Sequence, residues 1–233
     1  MAAKQYFAIC DTETTIEDTV ADFAIIICDR KGIIVNQCAV MVKDHFDTKE
    51  LFYDPKVTGF WGKQAAEARR INYTEMLNHG TRHLASVNAI NRWIDKAVTQ
   101  YNPILTAYNL PFDTSKCANT GIDLTGFSDR FCLWAAAVGN ICKTKGFKQF
   151  ALENHAFNNV TDKGNMTLKT NAEIVAGYIS GEFTNEPHTA LEDAVYFELP
   201  ILKHVIAKRK WRDNIVSYDW KKFQVKDHFI AKV

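Results

Sequence analysis

The chain has 233 residues and a net charge of +1, with 47% hydrophobic and 24% charged residues, a composition typical of one globular domain with a sizeable core. This length leaves no room for a second catalytic domain such as a polymerase. The near-zero net charge excludes overall electrostatic attraction to nucleic acid, so any such binding would need local patches or bound metal ions.

The first predicted element is a short apolar strand that ends at two acids. Residues 5–10 are mostly apolar, and Asp11 and Glu13 follow directly. Residues i and i+2 of a strand face the same side, so the two carboxylates would lie side by side. A divalent cation such as Mg²⁺ would relieve their repulsion. Taken alone, the pair is also typical of an ordinary strand end with solvated acids.

Two further strands are predicted over residues 21–28 and 32–42, with a tight turn over 29–32 between them. They give the chain a three-stranded antiparallel beginning. The spacing of apolar residues then predicts a helix over 86–101, with Ser86 as its N-cap.

A second group of polar residues follows a predicted strand over 104–108. Asn109 and Pro111 form a turn, and Asp113 falls where a helix should begin. One interpretation is an N-cap aspartate, worth about 1 kcal/mol of helix stability. The other is a carboxylate that belongs to the same site as the first two acids.

A third group contains His188 and Asp193. His188 follows Pro187, and Asp193 lies inside a helix predicted over 190–207; a fifth strand is predicted over 127–133. A histidine at the approach to a helix, with a carboxylate about one turn later, suits a proton acceptor beside a metal-bound acid. A solvated histidine beside a surface aspartate remains the alternative.

Together the three groups resemble the DEDD superfamily of 3′–5′ exonucleases, which are ribonuclease H-like and include the proofreading epsilon subunit of bacterial replication. The first group matches Asp-x-Glu and the second matches Asn-x-x-Phe-Asp. Histidine stands five residues before the last aspartate, and residue 189 is not tyrosine, so the pattern is similar to the DEDDh, or DnaQ-like, branch. The matching positions are Asp11, Glu13, Asn109, Phe112, Asp113, His188 and Asp193. Relatives often have glycine where this chain has Thr14, Thr15 and Ile16, and they often have histidine in place of Tyr108.

The resemblance implies an α/β fold with a mixed five-stranded sheet, its first three strands antiparallel, flanked by helices. The exonuclease domain would span residues 1–207, and residues 208–233 would form an extension. The implied cofactors are two divalent cations, Mg²⁺ or Mn²⁺. Asp11 would bridge them, Glu13 and Asp193 would complete one shell, Asp113 would hold the second cation and His188 would accept a proton. Thr14, Asn109 and Phe112 are the expected substrate contacts.

Two aromatic segments lie outside these motifs. Phe60 and Trp61 could wedge between terminal bases or pack in the core. In the C-terminal segment, basic and aromatic residues could track a single strand, pack on the domain or dock a partner. The residues of this segment are Lys203, Lys208, Arg209, Lys210, Trp211, Arg212, Tyr218, Trp220, Lys221, Lys222, Phe223 and Lys226.

The sequence therefore predicts an enzyme that removes nucleotides from single-stranded or frayed 3′ ends, with DNA favoured over RNA. An RNA-trimming exoribonuclease and an idle nucleic-acid- or polymerase-binding module of the same fold are the alternatives. The expected partners are nucleic acid and a polymerase or other replication protein. A cytoplasmic location is expected because the six cysteines form no Cys-x-x-Cys pair and neither a signal core nor a membrane span is apparent.

Overall fold

The computed structural model describes residues 4–159 and 166–225. Nine strands are assigned in these ranges. Their bounds are β1 Tyr6–Thr14, β2 Val20–Asp29, β3 Ile34–Val42, β4 His83–Ala85, β5 Ile104–Ala107, β6 Arg130–Cys132, β7 Phe157–Asn159, β8 Met166–Leu168 and β9 Gln224–Val225.

Most helices lie between or after the strands of the main sheet. Two short helices are followed directly by π-helical turns, at Val138–Cys142 and Ala194–Glu198. The α-helices are α1 Lys43–Phe46, α2 Lys63–Asn78, α3 Val87–Tyr101, α4 Leu110–Thr120, α5 Leu133–Ala137, α6 Lys145–Glu153, α7 Ala172–Ser180, α8 Ala190–Asp193 and α9 Leu199–Ile206. Short 3₁₀ turns occur at Gly59–Trp61, Trp211–Asn214 and Trp220–Phe223.

The main sheet has six strands in the order β4-β3-β2-β1-β5-β6. Strands β1, β2 and β3 are antiparallel neighbours, as the sequence predicts, whereas β4, β5 and β6 join in parallel. The predicted count of five strands is wrong, because β4 is a three-residue edge strand too short to show periodicity. A second, three-stranded sheet has the order β7-β8-β9.

Apolar residues cover both faces of the main sheet. Alternate residues of β1 point to opposite sides, so Phe7 and Ile9 pack in one cluster with α5, α7 and α9, while Ala8 and Cys10 pack in the other with α3 and α4. Every residue of β2 is buried. Strand β1 is thus a central strand held between two apolar layers, and it provides a rigid base for any side chain at its end.

Several local predictions agree with the structure. The Oγ of Ser86 accepts a hydrogen bond from the N–H of Ala89 and caps α3. In the turn after β2, Gly32 has a φ of 78° and its N–H donates to the carbonyl of Asp29. The predicted strand over 127–133 is shorter, since only Arg130–Cys132 pairs with β5.

The C-terminal segment makes extensive contacts up to Val225. The ring of Trp211, 5% exposed, packs against Phe131, and the ring of Tyr218 stacks on Phe223. Trp220 is 40% exposed. Lys226, one of the basic residues of the C-terminal segment, lies outside the described residues. Within the described part of the chain, none of the helices is both long and apolar enough to cross a membrane.

Candidate active site

The two acids of the first motif lie within β1. The strand continues through Thr14, beyond the predicted end at Cys10, because Asp11 and Glu13 still pair with Ala24 and Asp22 of β2. The residue between the acids, Thr12, donates its Oγ1 hydrogen to Oδ1 of Asp113 at 2.9 Å. Thr12 therefore links β1 to α4, a role that the sequence does not reveal.

Asp113 is placed by the turn that opens α4. Asn109 is the N-cap residue with a φ of 77°, Leu110 begins the helix and Pro111 occupies its first turn. Asp113 is not the N-cap, as one sequence interpretation had it, but lies in the first turn and is 2% exposed. The hydrogen bond from Thr12 holds Asp113 near the end of β1.

The histidine motif lies next to Glu13 of β1. His188 has a φ of 54°, and its carbonyl accepts a hydrogen bond from the hydroxyl of Tyr73 at 3.1 Å. Its Nδ1 lies 3.9 Å from Oε1 of Glu13. Glu13, His188 and Asp193 each offer a ligand atom within 4.8 Å of the others, an arrangement that could hold a metal ion.

A buried polar network supports α8, the helix that carries Asp193. Arg82 is 2% exposed and its guanidinium forms ion pairs with Asp22 and Glu192. The second oxygen of Asp22, Oδ2, accepts the N–H of Ala190 at 2.9 Å, and Thr189 donates to Glu192 at 2.7 Å. These contacts fix the start of α8 against β2.

Burial and mutual repulsion change the acidity of the site. Burial, followed by the charge of Asp22, raises the pKa of Glu13 to about 8. Burial, followed by the charge of Glu13, raises the pKa of Asp193 to about 9. The pKa of Asp113 rises to about 7 through burial, although the bond from Thr12 opposes the shift.

The acidic residues present a suitable donor set for hard divalent cations. Asp11 Oδ2 and Asp193 Oδ1 are buried and have no hydrogen-bond partner within the described residues. Buried carboxylate oxygens are normally paired or bound to metal. Carboxylates are the ligands that Mg²⁺ and Mn²⁺ prefer. The residues therefore fit the two-cation hypothesis.

These shifts predict how the stability of the metal-free protein depends on pH. Folded-state pKa values above the ordinary 3.8 to 4.5 of Asp and Glu mean that the folded state holds protons that the unfolded state releases. In chelator, the contribution of these three carboxyl groups to the free energy of unfolding should therefore be greatest below pH 4. It should fall as the pH rises to about 9, the raised pKa of Asp193.

Thermal unfolding in EDTA, followed at steps across this range, measures the effect. The same series with Mn²⁺ should show a weaker decline, because a bound cation favours the deprotonated carboxylates. A melting temperature in EDTA that stays constant or rises from pH 5 to pH 9 would contradict the raised pKa values.

Two aromatic rings lie next to the ring of His188. Phe60 and Trp61 are 42% and 43% exposed, and their ring centroids are 4.4 and 5.2 Å from that of His188. Core packing, one of the two sequence interpretations, is therefore wrong for these residues. The guanidinium of Arg69 lies 4.7 Å from the Phe60 ring. Burial and the positive charge of Arg69 lower the pKa of His188 to about 4, so its imidazole is neutral at pH 7.

A cavity of about 490 Å³ opens beside Glu13. Thr14, Trp61 and Phe112 are among its lining residues, and Phe112 is 42% exposed. Lys116 also lines it, with Nζ 4.8 Å from the Phe112 ring and 2.7 Å from Asp18. Asn109 is not in the cavity wall; its carbonyl accepts the N–H of Phe112 at 2.8 Å and so helps to form the turn before that ring.

The sequence motifs do not include Glu198, a buried carboxylate five residues after Asp193. Glu198, in the π-helical turn after α8, is 2% exposed. A signal was present, since Glu198 interrupts the otherwise apolar run at Phe197, Leu199 and Ile201. A charged residue on a buried helix face is uncommon unless it is paired.

Comparison with known proteins gives matches among solved structures. No family model matches the chain, and no curated protein matches it. Among solved structures it is similar to E. coli Exonuclease I in complex with a 5cy-dT13 oligonucleotide, with a TM-score of 0.50 and 17% identity over 90% of this chain and 42% of that chain. A complex of the same enzyme with a 5cy-dA13 oligonucleotide matches with a TM-score of 0.47 and 16% identity, again over 90% and 42%.

At this level of identity the comparison shows the fold alone. The protein has an α/β fold that matches part of Exonuclease I, a mixed six-stranded sheet flanked by helices. The chain spans less than half the length of the exonuclease it matches.

Proposed function

We propose that the protein is a metal-dependent 3′–5′ exonuclease that releases nucleoside 5′-monophosphates from single-stranded or frayed ends, with DNA as the favoured substrate. The observation that carries the proposal is the convergence of the motif acids on the end of β1, where buried oxygens of Asp11 and Asp193 lack hydrogen-bond partners within the described residues. A pure binding module has no physical need for converging buried acids, which would repel a phosphodiester.

Four carboxylates would hold the cations: Asp11, Glu13, Asp113 and Asp193. When bound, two divalent cations stabilise charge on the attacking and leaving oxygens of a phosphodiester displacement. Thr12 orients Asp113 through its 2.9 Å hydrogen bond. The network of Arg82 orients the helix that carries Asp193.

His188 supplies the proton acceptor. Its neutral imidazole has a free ring nitrogen to accept a proton from water, and Nδ1 is 3.9 Å from Glu13, which would stabilise the imidazolium once it forms. The hydroxyl of Tyr73 fixes the backbone at this residue. The imidazole is therefore held next to the carboxylates on which hydrolysis depends.

The cavity beside Glu13 would receive the terminal nucleotide. Its exposed rings, Trp61 and Phe112, offer faces on which a base can stack, an interaction worth about 1–3 kcal/mol per base. Lys116 and Arg69 provide positive charge at the same cavity. The matched exonuclease was observed with a DNA oligonucleotide, which favours DNA as the substrate class to test first.

The test is digestion of 5′-labelled DNA and RNA oligonucleotides of matched sequence, with Mg²⁺, with Mn²⁺ and with EDTA, resolved at single nucleotides. We expect a metal-dependent ladder that shortens from the 3′ end, stronger on DNA. A 3′-phosphorylated oligonucleotide is the control for the direction of attack, and it should be degraded more slowly. If neither nucleic acid is cut with either metal but both bind, the protein is a binding module and the proposal is wrong.

A further inference from the structure

Glu198 is a buried carboxylate that the proposed mechanism does not use. Its Oε1 accepts the N–H of Tyr108 at 3.0 Å. Its Oε2 is buried and has no hydrogen-bond partner within the described residues, and no described Lys, Arg or His forms an ion pair with it. One oxygen is thus satisfied by the backbone while the other is left without a partner, at a cost that a buried polar group does not normally bear.

The π-helical turn explains how Glu198 comes to face the site. The N–H of Leu199 donates to the carbonyl of Ala194, five residues earlier. In a regular α-helix, residues five apart are rotated by about 140° from one another at 3.6 residues per turn. The wider π turn brings Asp193 and Glu198 closer to one face. Such turns occur often at functional sites.

Several observations place Glu198 among the ligands of the first motif. The π turn contacts β1, the strand that carries Asp11. Tyr108, which binds Oε1, directly follows β5 and precedes the turn that positions Asp113. Glu198 therefore lies in a turn that packs against the strand of Asp11, and it binds the residue that precedes the turn positioning Asp113.

We propose that Glu198 is a fifth carboxylate of the metal site and binds the cation held by Asp11 and Asp113 through its unpartnered oxygen. This inference rests on the proposed function. It gives the second cation three protein carboxylates, whereas the sequence motif supplies only Asp11 and Asp113. Retention of a proton by Glu198, as a neutral structural acceptor, is the competing role.

The Glu198→Gln variant separates these roles. Glutamine keeps the shape and the oxygen that accepts the Tyr108 N–H, but it removes the charge that a cation needs. Mn²⁺ binding, measured by calorimetry on the full chain without nucleic acid, should show two sites in the wild type. In the variant one site should weaken by about 10- to 100-fold. Circular dichroism checks the fold of each variant.

Two further variants complete the design. Glu198→Asp retains a carboxylate and should recover part of the lost Mn²⁺ affinity if the charge is what matters. Glu153→Gln removes an exposed glutamate of α6, which bonds only to Gln149 among the contacts described, and should bind Mn²⁺ as the wild type does.

The outcomes distinguish the inference from the proposed function. Wild-type Mn²⁺ binding in Glu198→Gln, in a protein that cuts DNA, overturns the inference and leaves the exonuclease in place. A wild type that binds no Mn²⁺ overturns both. If Glu198→Gln does not fold, Glu198→Asp decides the matter: a second site that is weakened but still present, with a native fold, supports ligation, and unchanged binding despite the shorter side chain contradicts it.

Discussion

Replacing Asp11 with asparagine should remove nearly all of the proposed exonuclease activity and should make the metal-free protein more stable. Asp11 lies at the centre of the site, where burial and then the charges of Glu198 and Asp113 raise its pKa. Asparagine keeps the shape but cannot bridge two cations. The loss of several kcal/mol of transition-state stabilisation corresponds to a rate decrease of about 10³-fold.

The gain in stability has the same origin as the loss of activity. Without metal, the folded state confines repelling carboxylates in a buried space, and the neutral amide removes one of them. Thermal unfolding in EDTA at pH 8 should therefore give a higher melting temperature for Asp11→Asn than for the wild type. With Mn²⁺ the order should reverse, because only the wild type binds the metal fully.

The matched control is Asp95→Asn, an exposed aspartate on α3. It should change neither the rate of digestion nor the melting temperature in EDTA. If Asp11→Asn keeps more than about a tenth of the wild-type rate, equivalent to a loss of less than 1.4 kcal/mol, Asp11 does not hold a catalytic metal.

Replacing His188 with asparagine should lower the rate of hydrolysis by about 10²- to 10⁴-fold, the usual contribution of a general base. Asparagine suits this position because His188 has a φ of 54°, and asparagine tolerates the left-handed region better than most residues. The backbone contact to Tyr73 should therefore persist. The loss would reflect the missing imidazole and not a displaced loop.

Single-turnover digestion at saturating Mn²⁺ measures this effect, and calorimetry of Mn²⁺ binding separates two roles of the imidazole. A proton acceptor predicts a slow variant with unchanged Mn²⁺ affinity. A metal ligand, which the proximity of Glu13, His188 and Asp193 also allows, predicts that affinity and rate fall together. His204→Asn, at an exposed position of α9, is the control and should behave as the wild type. Wild-type hydrolysis by His188→Asn would exclude both roles.

Much of the central fold could be predicted from local sequence patterns. The three antiparallel strands, the helix capped by Ser86 and the strand before Asn109 are all confirmed. These elements have strong periodicity, and the residues at their ends suit the turns or caps required there. Edge strand β4 lacks both properties, since its His83, Leu84 and Ala85 form a strand only because β3 pairs with them.

For the candidate site, the sequence indicates the motif residues but not every side chain around them. The sequence indicates the acids and His188 as candidate site residues because they stand at characteristic spacings within short motifs. Glu198 could not be placed in this way, because its direction depends on a hydrogen bond between residues five apart, which tertiary packing selects. The same holds for Phe60 and Trp61, whose exposure depends on how a non-helical loop lies against His188.

The ion pairs of Arg82 connect parts of the candidate site that are far apart in the sequence. Arg82 directly precedes the edge strand β4. Its ion-pair partners, however, are Asp22 of the inner strand β2 and Glu192 beside Asp193. Contacts between residues so distant in sequence require the chain to close long loops, at an entropic cost. A partly folded molecule would have the motifs but no assembled site. The position of α8, and with it Asp193, therefore depends on residues from three distant parts of the chain.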